Sequence, residues 1–374
     1  MDLALYRKYR PQSFKDIVGQ EHIVKTITNA LASKSTSHAY LFSGPRGSGK
    51  TTIARLIAKS VNCENPILNK NGIIAFEPCN KCASCLEMIG NKAMNMIEID
   101  AASHTGVDDI RDLRDGINFS PGKSKFKVFI IDECHQLSKG AANALLKTLE
   151  EPPAHAIFIL ATTEIHKMIP TILSRCQRFT FKKFSLNEII GRLDILAKKE
   201  KIKIDKDALR IIAMNAGGAI RDAESLLGQV LAFRPGDEHI TAEEVSELLG
   251  LIGNSVIIEF IDSIISKDFK KALSLLNNLN EKGIDMIEFN KTLIEYLRQC
   301  LIIKTTQMSE KDIVSDFGFN KDEVDKIIDQ SSKLSDNDLR KIIGNFLRAG
   351  NEIKSSPVPQ LPLELALIDS CSEK

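Results

Sequence analysis

The chain lacks a dominant charge: of its 374 residues, 50 are lysine or arginine and 49 are aspartate or glutamate, a formal net charge of +1. No global field therefore draws nucleic acid or an anionic membrane, and any contact with DNA has to be made locally. Also missing are a charged-then-apolar leader and any apolar run of membrane-spanning length, which predicts a soluble cytoplasmic protein with no membrane partner. In that setting the 8 cysteines are expected as thiols or metal ligands rather than disulfides. There is no internal repeat and no low-complexity segment, so a solenoid is excluded. At this length one ordinary core does not suffice, and two or three domains are expected.

What is present divides by texture. Up to about residue 180, short apolar or β-branched runs alternate with amphipathic stretches, the pattern of a parallel sheet covered by helices. Strands are predicted at residues 39–43, 95–100, 126–131, 156–161 and 177–181. After that the strands stop. Helical signals punctuated by Asp205, Gly217-Gly218 and Pro235-Gly236 run from Leu186 to about Leu249 and predict a small helical lid. From residue 250 onward, longer helical stretches such as Val256 to Ile265 and Met286 to Ile303 predict an all-helical third domain, closed by a helix from Leu361 to Ile368. The expected division is 1–180, 181–249 and 250–374.

Gly44-Pro45-Arg46-Gly47-Ser48-Gly49-Lys50-Thr51 fits G-x-x-x-x-G-K-[ST]. Its glycines let backbone N–H groups close around phosphate oxygens, Lys50 reaches the outer phosphates, and the Thr51 hydroxyl can ligate magnesium. The apolar run Ala39-Tyr40-Leu41-Phe42 before it reads as a buried strand. From Thr52, which we count with the loop, to Val61 the apolar spacing is helical, so the motif sits between a strand and a helix N-terminus. Further on, Lys127 to Ile131 reads as a buried strand ending in Asp132-Glu133. Asp132 can hold the magnesium shell and Glu133 can orient or deprotonate a water, which implies hydrolysis rather than binding alone. A third strand, Ile157 to Ala161, ends in Thr162-Thr163 at the edge that lines the crevice of an open parallel sheet, where Thr163 or Thr162 could hold the lytic water.

Cys79, Cys82 and Cys85 offer three soft ligands within one short loop and helix start, and Cys63 supplies a fourth at the end of the phosphate-loop helix. Four protein ligands leave no position for a substrate, so zinc here is structural. An iron–sulfur cluster is the alternative, although the C-P that completes a ferredoxin run is missing after Cys85; free thiols are a third. The stretch between Cys63 and Cys79 reads as a surface insertion. Cys134, Cys176 and Cys300 are expected as small packed side chains, and His135 in a structural or coupling role. Ser103-His104-Thr105-Gly106 and Leu137-Ser138-Lys139-Gly140 each precede a helix, where free N–H groups either cap the helix or grip DNA phosphates.

These motifs, with Tyr6-Arg7-Lys8-Tyr9-Arg10-Pro11, Val18-Gly19-Gln20-Glu21-His22, Glu98-Ile99-Asp100-Ala101-Ala102-Ser103, Ala144 through Pro153, Ser174-Arg175-Cys176 and Ile220-Arg221-Asp222-Ala223, make the chain resemble the gamma/tau family of ATPase subunits of the bacterial DNA polymerase III clamp loader, within the AAA+ class. The match is specific over about residues 1–230 and weak beyond. The resemblance implies an α/β P-loop AAA+ module, a parallel sheet with helices on both faces, followed by a helical lid and an all-helical C-terminal collar. It implies ATP and magnesium as ligands and favours zinc at the cysteines. It makes Arg175 an arginine finger acting in trans on the ATP of a neighbouring subunit, and Arg221 the lid arginine that touches the phosphates of its own. Tyr9, Arg10, Pro11 and Val18 resemble the strip that packs on the adenine base. The implied activity is that of a motor subunit in a ring-shaped hetero-oligomer, which hydrolyses ATP to open a sliding clamp and load it on primed DNA. Phosphodiester-bond formation is not expected, since no polymerase-like acidic constellation lies outside the nucleotide site. Two alternatives are another AAA+ DNA motor such as a branch-migration helicase, which has no reason to carry the cysteine group, and a non-hydrolysing scaffold subunit, which would show a damaged phosphate loop.

Overall fold

In the computed structural model the described residues are 4–69, 74–90, 93–103, 117, 121–122, 124–233, 239–250, 253–317 and 319–371. The apolar runs of the three central strands form a parallel sheet because each offers both faces to a covering layer of helices. Strands β1 (Ala39–Ser43), β4 (Met96–Asp100), β5 (Lys127–Asp132), β6 (Ala156–Thr162) and β7 (Gln177–Thr180) lie in the order β4-β5-β6-β1-β7. Every residue of β1 and of β6 is buried. Alternate side chains part to two cores. Tyr40, Phe42, Val128, Ile130, Ile157 and Ile159 face helices α2 (Glu21–Ala32) and α3 (Lys50–Val61) through Ile27 and Ile57. Leu41, Phe129, Ile131, Phe158 and Leu160 face α5 (Lys139–Glu150) and α6 (Pro170–Leu173) through Leu145 and Ile172.

The sequence pattern predicts no strand after residue 181 and none between Cys63 and Cys79. The structure adds a two-stranded antiparallel hairpin there, β2 (Ile67–Leu68) with β3 (Phe76–Glu77), and an isolated parallel bridge between Ile204 and Ile240. Pairs this short carry too few residues for a periodic signal. Of the two turns expected either to cap a helix or to grip DNA phosphates, the first lies largely outside the described residues, with His104, Thr105 and Gly106 beyond them. At the other, the Ser138 hydroxyl accepts from the Ala141 amide and caps α5.

The helices after β7 pack back on the first segment of the chain. A capping box between Ser185 and Glu188 starts α7 (Leu186–Lys199), followed by α8 (Lys206–Asn215) and α9 (Ile220–Phe233). Arg192 on α7 and Glu224 on α9 form a buried pair, Nε to Oε1 at 2.8 Å, and the Arg192 Nη2 donates to the Tyr9 carbonyl at 2.7 Å. Near the beginning of the chain, Gln20 brackets the start of the lid: its Nε2 donates to the Lys182 carbonyl and its Oε1 accepts from the Lys182 amide.

Packing divides the chain into two compact units, Met1–Val245 and Ser246–Lys374. The second is all helix among its described residues, from α11 (Asn254–Ile265) through α12 (Phe269–Glu281), α13 (Met286–Thr306), α14 (Glu310–Phe317), α15 (Lys321–Lys333) and α16 (Asp336–Glu352) to α17 (Leu361–Cys371). Its core is built on Phe260, which meets Phe289 and Phe346 edge to face at 5.2 and 6.1 Å between ring centres.

Arg192→Met leaves the Glu224 carboxylate buried without its partner and is expected to lower the stability of the first unit by about 3 kcal/mol. Lys198→Ala removes only an exposed pair with Asp194 and should change it by less than about 1 kcal/mol. Urea denaturation followed by circular dichroism measures both, and equal effects would show that the buried pair contributes nothing particular.

Candidate nucleotide and metal sites

The loop after β1 turns on three glycines in conformations that favour glycine: Gly44 at φ +148°, Gly47 at +74° and Gly49 at +95°. At two of them space also excludes a side chain. A Cβ on Gly44 would stand 2.5 Å from the Phe181 carbonyl oxygen, and one on Gly47 would stand 2.7 Å from the Ala219 Cβ. The loop backbone is thereby pressed between the residue after β7 and the residue before α9, and Gly49 caps the start of α3. Lys50 is buried, and its ammonium donates to the carbonyls of Gly44 and Pro45 at 2.7 and 2.8 Å. Burial pulls its pKa down, while the carboxylates of Glu133 and Asp132 oppose that shift.

The ends of β5 and β6 bring the acidic pair and the threonines to the same edge. The Thr51 hydroxyl donates to Asp132 Oδ2 at 2.8 Å. Glu133 takes a left-handed backbone, φ +46°, uncommon for a residue with a Cβ and costing on the order of 1–3 kcal/mol. Its Oε2 accepts from the Thr163 amide and hydroxyl at 3.2 and 2.9 Å. Thr163 thus grips the carboxylate that was expected to work beside it. Thr162 Oγ1 lies 3.0 Å from His135 Nδ1, which is itself 3.4 Å from Glu133 Oε2. His135 therefore sits behind the acidic pair, in contact with both strand ends.

Tyr9, Arg10, Pro11 and Val18 line one cavity of about 380 Å³, together with Arg192, Ile195 and Lys199 of α7. That volume lies within the range of small-molecule sites. The lid residues were not singled out from the sequence, because within an amphipathic helix nothing distinguishes them from ordinary surface and core positions. Tyr6 was likewise missed as a contact. The Arg221 guanidinium lies 4.8 Å over its ring, and hydrogen bonds from Arg7 and then Arg221 pull the phenol below its ordinary pKa. Arg10 is lowered first by burial and then by the repulsion of Arg55, with Arg221 and Arg7 adding to it, so several cations share this region of the first unit. Arg175 is placed otherwise. Its guanidinium bonds to Glu150 Oε1 at 2.6 Å, to the Thr171 carbonyl and to the Ser174 hydroxyl.

The four cysteines converge. The sulfurs of Cys63, Cys79, Cys82 and Cys85 all lie within 4.8 Å of one another, with Cys79 and Cys85 at 3.9 Å. A tetrahedral metal bound at about 2.3 Å holds its sulfurs roughly 3.8 Å apart, so the donor set fits such an ion. Backbone amides of Lys81, Cys82 and Cys79 point at the sulfurs of Cys79 and Cys63. The bonds from the Lys81 amide, foremost, and the Cys82 amide bring the Cys79 thiol down to about 6, while burial raises Cys85 and Cys63. Cys134 and Cys176 are buried, and burial raises both.

A loop of this kind between a parallel strand and a helix, seated under a helical lid, defines a P-loop protein of the AAA+ class. Family models agree along the chain: residues 19–185 match the DNA polymerase III delta subunit, residues 188–236 the ATPase lid domain of a DNA polymerase III clamp loader subunit, and residues 240–374 domain III of DNA polymerase III subunits gamma and tau. The chain is 43% identical to the DNA polymerase III subunit tau of Bacillus subtilis, over 98% of this chain and 63% of that protein. It is 40% identical to the DNA polymerase III subunit gamma of Buchnera aphidicola from Acyrthosiphon pisum, over 97% of each. The chain belongs to the gamma/tau family of DNA polymerase III subunits. These relatives do not favour the branch-migration or scaffold alternatives. Among solved structures it is similar to the clamp loader delta protein of Bacillus subtilis, at 18% identity and TM-score 0.41, covering 94% of this chain and 100% of that one.

Gly44→Ala should disrupt the first unit by forcing either the Phe181 carbonyl or the loop aside; a loss of at least about 2 kcal/mol is expected from the clash and the backbone strain together. Thermal unfolding reads it out, and a melting temperature equal to that of the parent chain would show that the loop has room to yield.

Proposed function

We propose that the chain is an ATP-hydrolysing motor subunit of a bacterial clamp loader, assembling with other loader subunits in a ring to open a sliding clamp and close it around primed DNA. The observation that carries this reading is the meeting of Lys50, Thr51, Asp132, Glu133 and Thr163 at one edge of the sheet, in a chain whose relatives are gamma and tau subunits. In this reading residues 1–180 are the ATP-binding module, 181–249 the lid and 250–374 the collar that holds the ring together.

The loop amides of Gly44 to Thr52 and the Lys50 ammonium would receive the phosphates of ATP, with Tyr9, Arg10, Pro11 and Val18 against the base. Magnesium, when bound, would neutralise charge on the outer phosphate oxygens. Thr51 and Asp132, already 2.8 Å apart, are the residues that would hold it. Glu133 acts as the base toward the attacking water, and its bond with Thr163 has to loosen for the carboxylate to reach that water. Arg221 touches the phosphates of its own subunit and couples them to the lid angle. Arg175 reaches the ATP of the next subunit, which makes hydrolysis depend on assembly. The four cysteines hold a zinc ion with no open position, a structural rather than catalytic role. Local contacts to DNA phosphates come from helix N-termini such as that after Ser138.

In the loader assembled with clamp and primed DNA, Glu133→Gln is expected to retain ATP binding and lose hydrolysis by about 10²-fold or more. Arg175→Ala should leave ATP binding by its own chain intact and stop hydrolysis in the assembly. ATP turnover measured with clamp and DNA omitted in turn tests the loading step, and equal turnover without them would sink it. Separately, metal analysis of the purified chain should find one zinc per chain, released as four thiols become titratable; a colour and absorbance spectrum of an iron–sulfur cluster would refute the zinc assignment.

A further inference from the structure

The cysteine loop does not end at its sulfurs. Asn80, next to Cys79, takes a left-handed backbone at φ +56° and turns its amide toward the first segment of the chain. Its Nδ2 donates to the Ser13 hydroxyl at 2.8 Å, and its Oδ1 accepts from the Lys59 ammonium at 2.8 Å. Lys59, only 2% exposed, also donates to Gln12 Oε1 at 2.8 Å, and Gln12 in turn donates to the Arg10 carbonyl. Two residues before Cys79, Glu77 accepts from the amides of Phe14 and Lys15 at 2.9 and 2.7 Å. The cysteine loop and the α3 lysine thus hold Gln12, Ser13, Phe14 and Lys15 by direct hydrogen bonds. This is the middle of the segment whose flanks, Tyr9 to Gln12 and Lys15 to Val18, form the wall of the cavity.

Lys59 has a second reason to be where it is. Burial lowers the pKa of its ammonium, and the sulfurs of Cys85 and Cys63 are among the groups that oppose this; a metal held by four thiolates would leave a net negative charge of about two in a partly desolvated place. A buried ammonium balances that charge, and its donors are shared with the wall.

We propose that the metal knuckle sets the shape of the nucleotide pocket: Asn80 and Lys59 are positioning residues that transmit ligation of the four cysteines to the wall at residues 9–18, so that loading the knuckle with metal tightens binding of the nucleotide base. The inference rests on reading that wall as the base-binding strip. The phosphate loop itself takes no bond from Asn80, so binding of the phosphates is left alone.

The test compares ATP with inorganic tripolyphosphate, each with magnesium, on the full chain by calorimetry. Asn80→Gly removes the amide while keeping the left-handed backbone, so Cys79 stays in place and metal content should not change. It is expected to weaken ATP binding by roughly three- to tenfold, the scale of one or two buried hydrogen bonds, with tripolyphosphate affinity unchanged. Ser13→Ala breaks the same link from the far side and should act in the same direction. Asn80→Asp still accepts from Lys59 and from the Ser13 hydroxyl, and should bind ATP like the parent chain. Removal of the metal by a chelator from the parent chain should reproduce the Asn80→Gly pattern, with faster hydrogen exchange at residues 9–18. Unchanged ATP affinity in Asn80→Gly, or an equal loss for ATP and tripolyphosphate, overturns the inference. Failure of the parent chain to bind ATP at all would instead overturn the nucleotide reading beneath it.

Discussion

The first unit depends on the absence of two Cβ atoms. With Gly44 against the Phe181 carbonyl and Gly47 against Ala219, the phosphate loop is the spacer between the sheet and the lid. Phe181 is fixed to the sheet by its backbone N–H, which donates to the Ser43 carbonyl at 2.7 Å, and Ala219 leads directly into α9. A ligand that shifts the loop backbone by a few tenths of an ångström therefore meets a wall on one side and a helix on the other. The wall is Phe181, itself buried and bonded to the fully buried strand β1. The helix carries Arg221 and Glu224, and through Glu224 it is tied to Arg192 and the Tyr9 carbonyl. Displacement of the loop would therefore press on the start of this helix by direct backbone contact.

The same economy governs charge. Lys50 lies close enough to Asp132 and Glu133 for their carboxylates to oppose the lowering that burial imposes on its ammonium, so the cation is balanced inside the site, and hydrogen bonds hold the two acids in place. Thr51 fixes Asp132, and Thr163 fixes Glu133 in a backbone conformation it would not otherwise choose. A strained residue persists only where its surroundings over-determine it. Here two hydrogen bonds from Thr163 and the neighbouring His135 do so. The carboxylate is stored in one position with a defined set of bonds to lose, which is what a group that works only on cue requires.

Much of this was legible in the residues. Runs such as Val128 to Ile131 and Ile157 to Leu160 have one physical solution, a strand buried on both sides, and their acidic and hydroxyl ends fell at the predicted edge. The phosphate loop announces itself because glycine spacing is dictated by backbone approach. The four cysteines were legible as a group because soft ligands at C-x-x-C spacing have few other uses. What stayed hidden has a common cause: it depends on which residues from distant segments meet. Arg192 looks like any arginine in an amphipathic helix until Glu224 and Tyr9 arrive beside it. Lys59 and Glu77 look like surface charges, and both are buried against the first segment of the chain. Tyr6 carries no pattern that pairs it with Arg221. The hairpin at Ile67–Leu68 and Phe76–Glu77 is too short to leave a period.

A buried network in the second unit contrasts with the nucleotide edge of the first, and the contrast bears on where chemistry can reside. In the second, Gln330 is wholly buried and fully used: its Nε2 donates to the Ile258 carbonyl and to Asp262, and its Oε1 accepts from the Tyr296 hydroxyl at 2.6 Å. Burial raises the Tyr296 phenol and keeps it a donor. A closed network of this kind fixes the register of α11, α13 and α15 against one another and leaves nothing to offer a ligand. In the first unit, by contrast, Lys50, Asp132 and Glu133 meet at one edge of the sheet, with bonds that a charged ligand or cation could replace by stronger ones. A helical unit built around a network of this kind suits holding a geometry, whereas a module whose charged groups have bonds open to exchange suits responding to a ligand. The division of labour proposed for the chain follows from that difference in how its hydrogen bonds are closed.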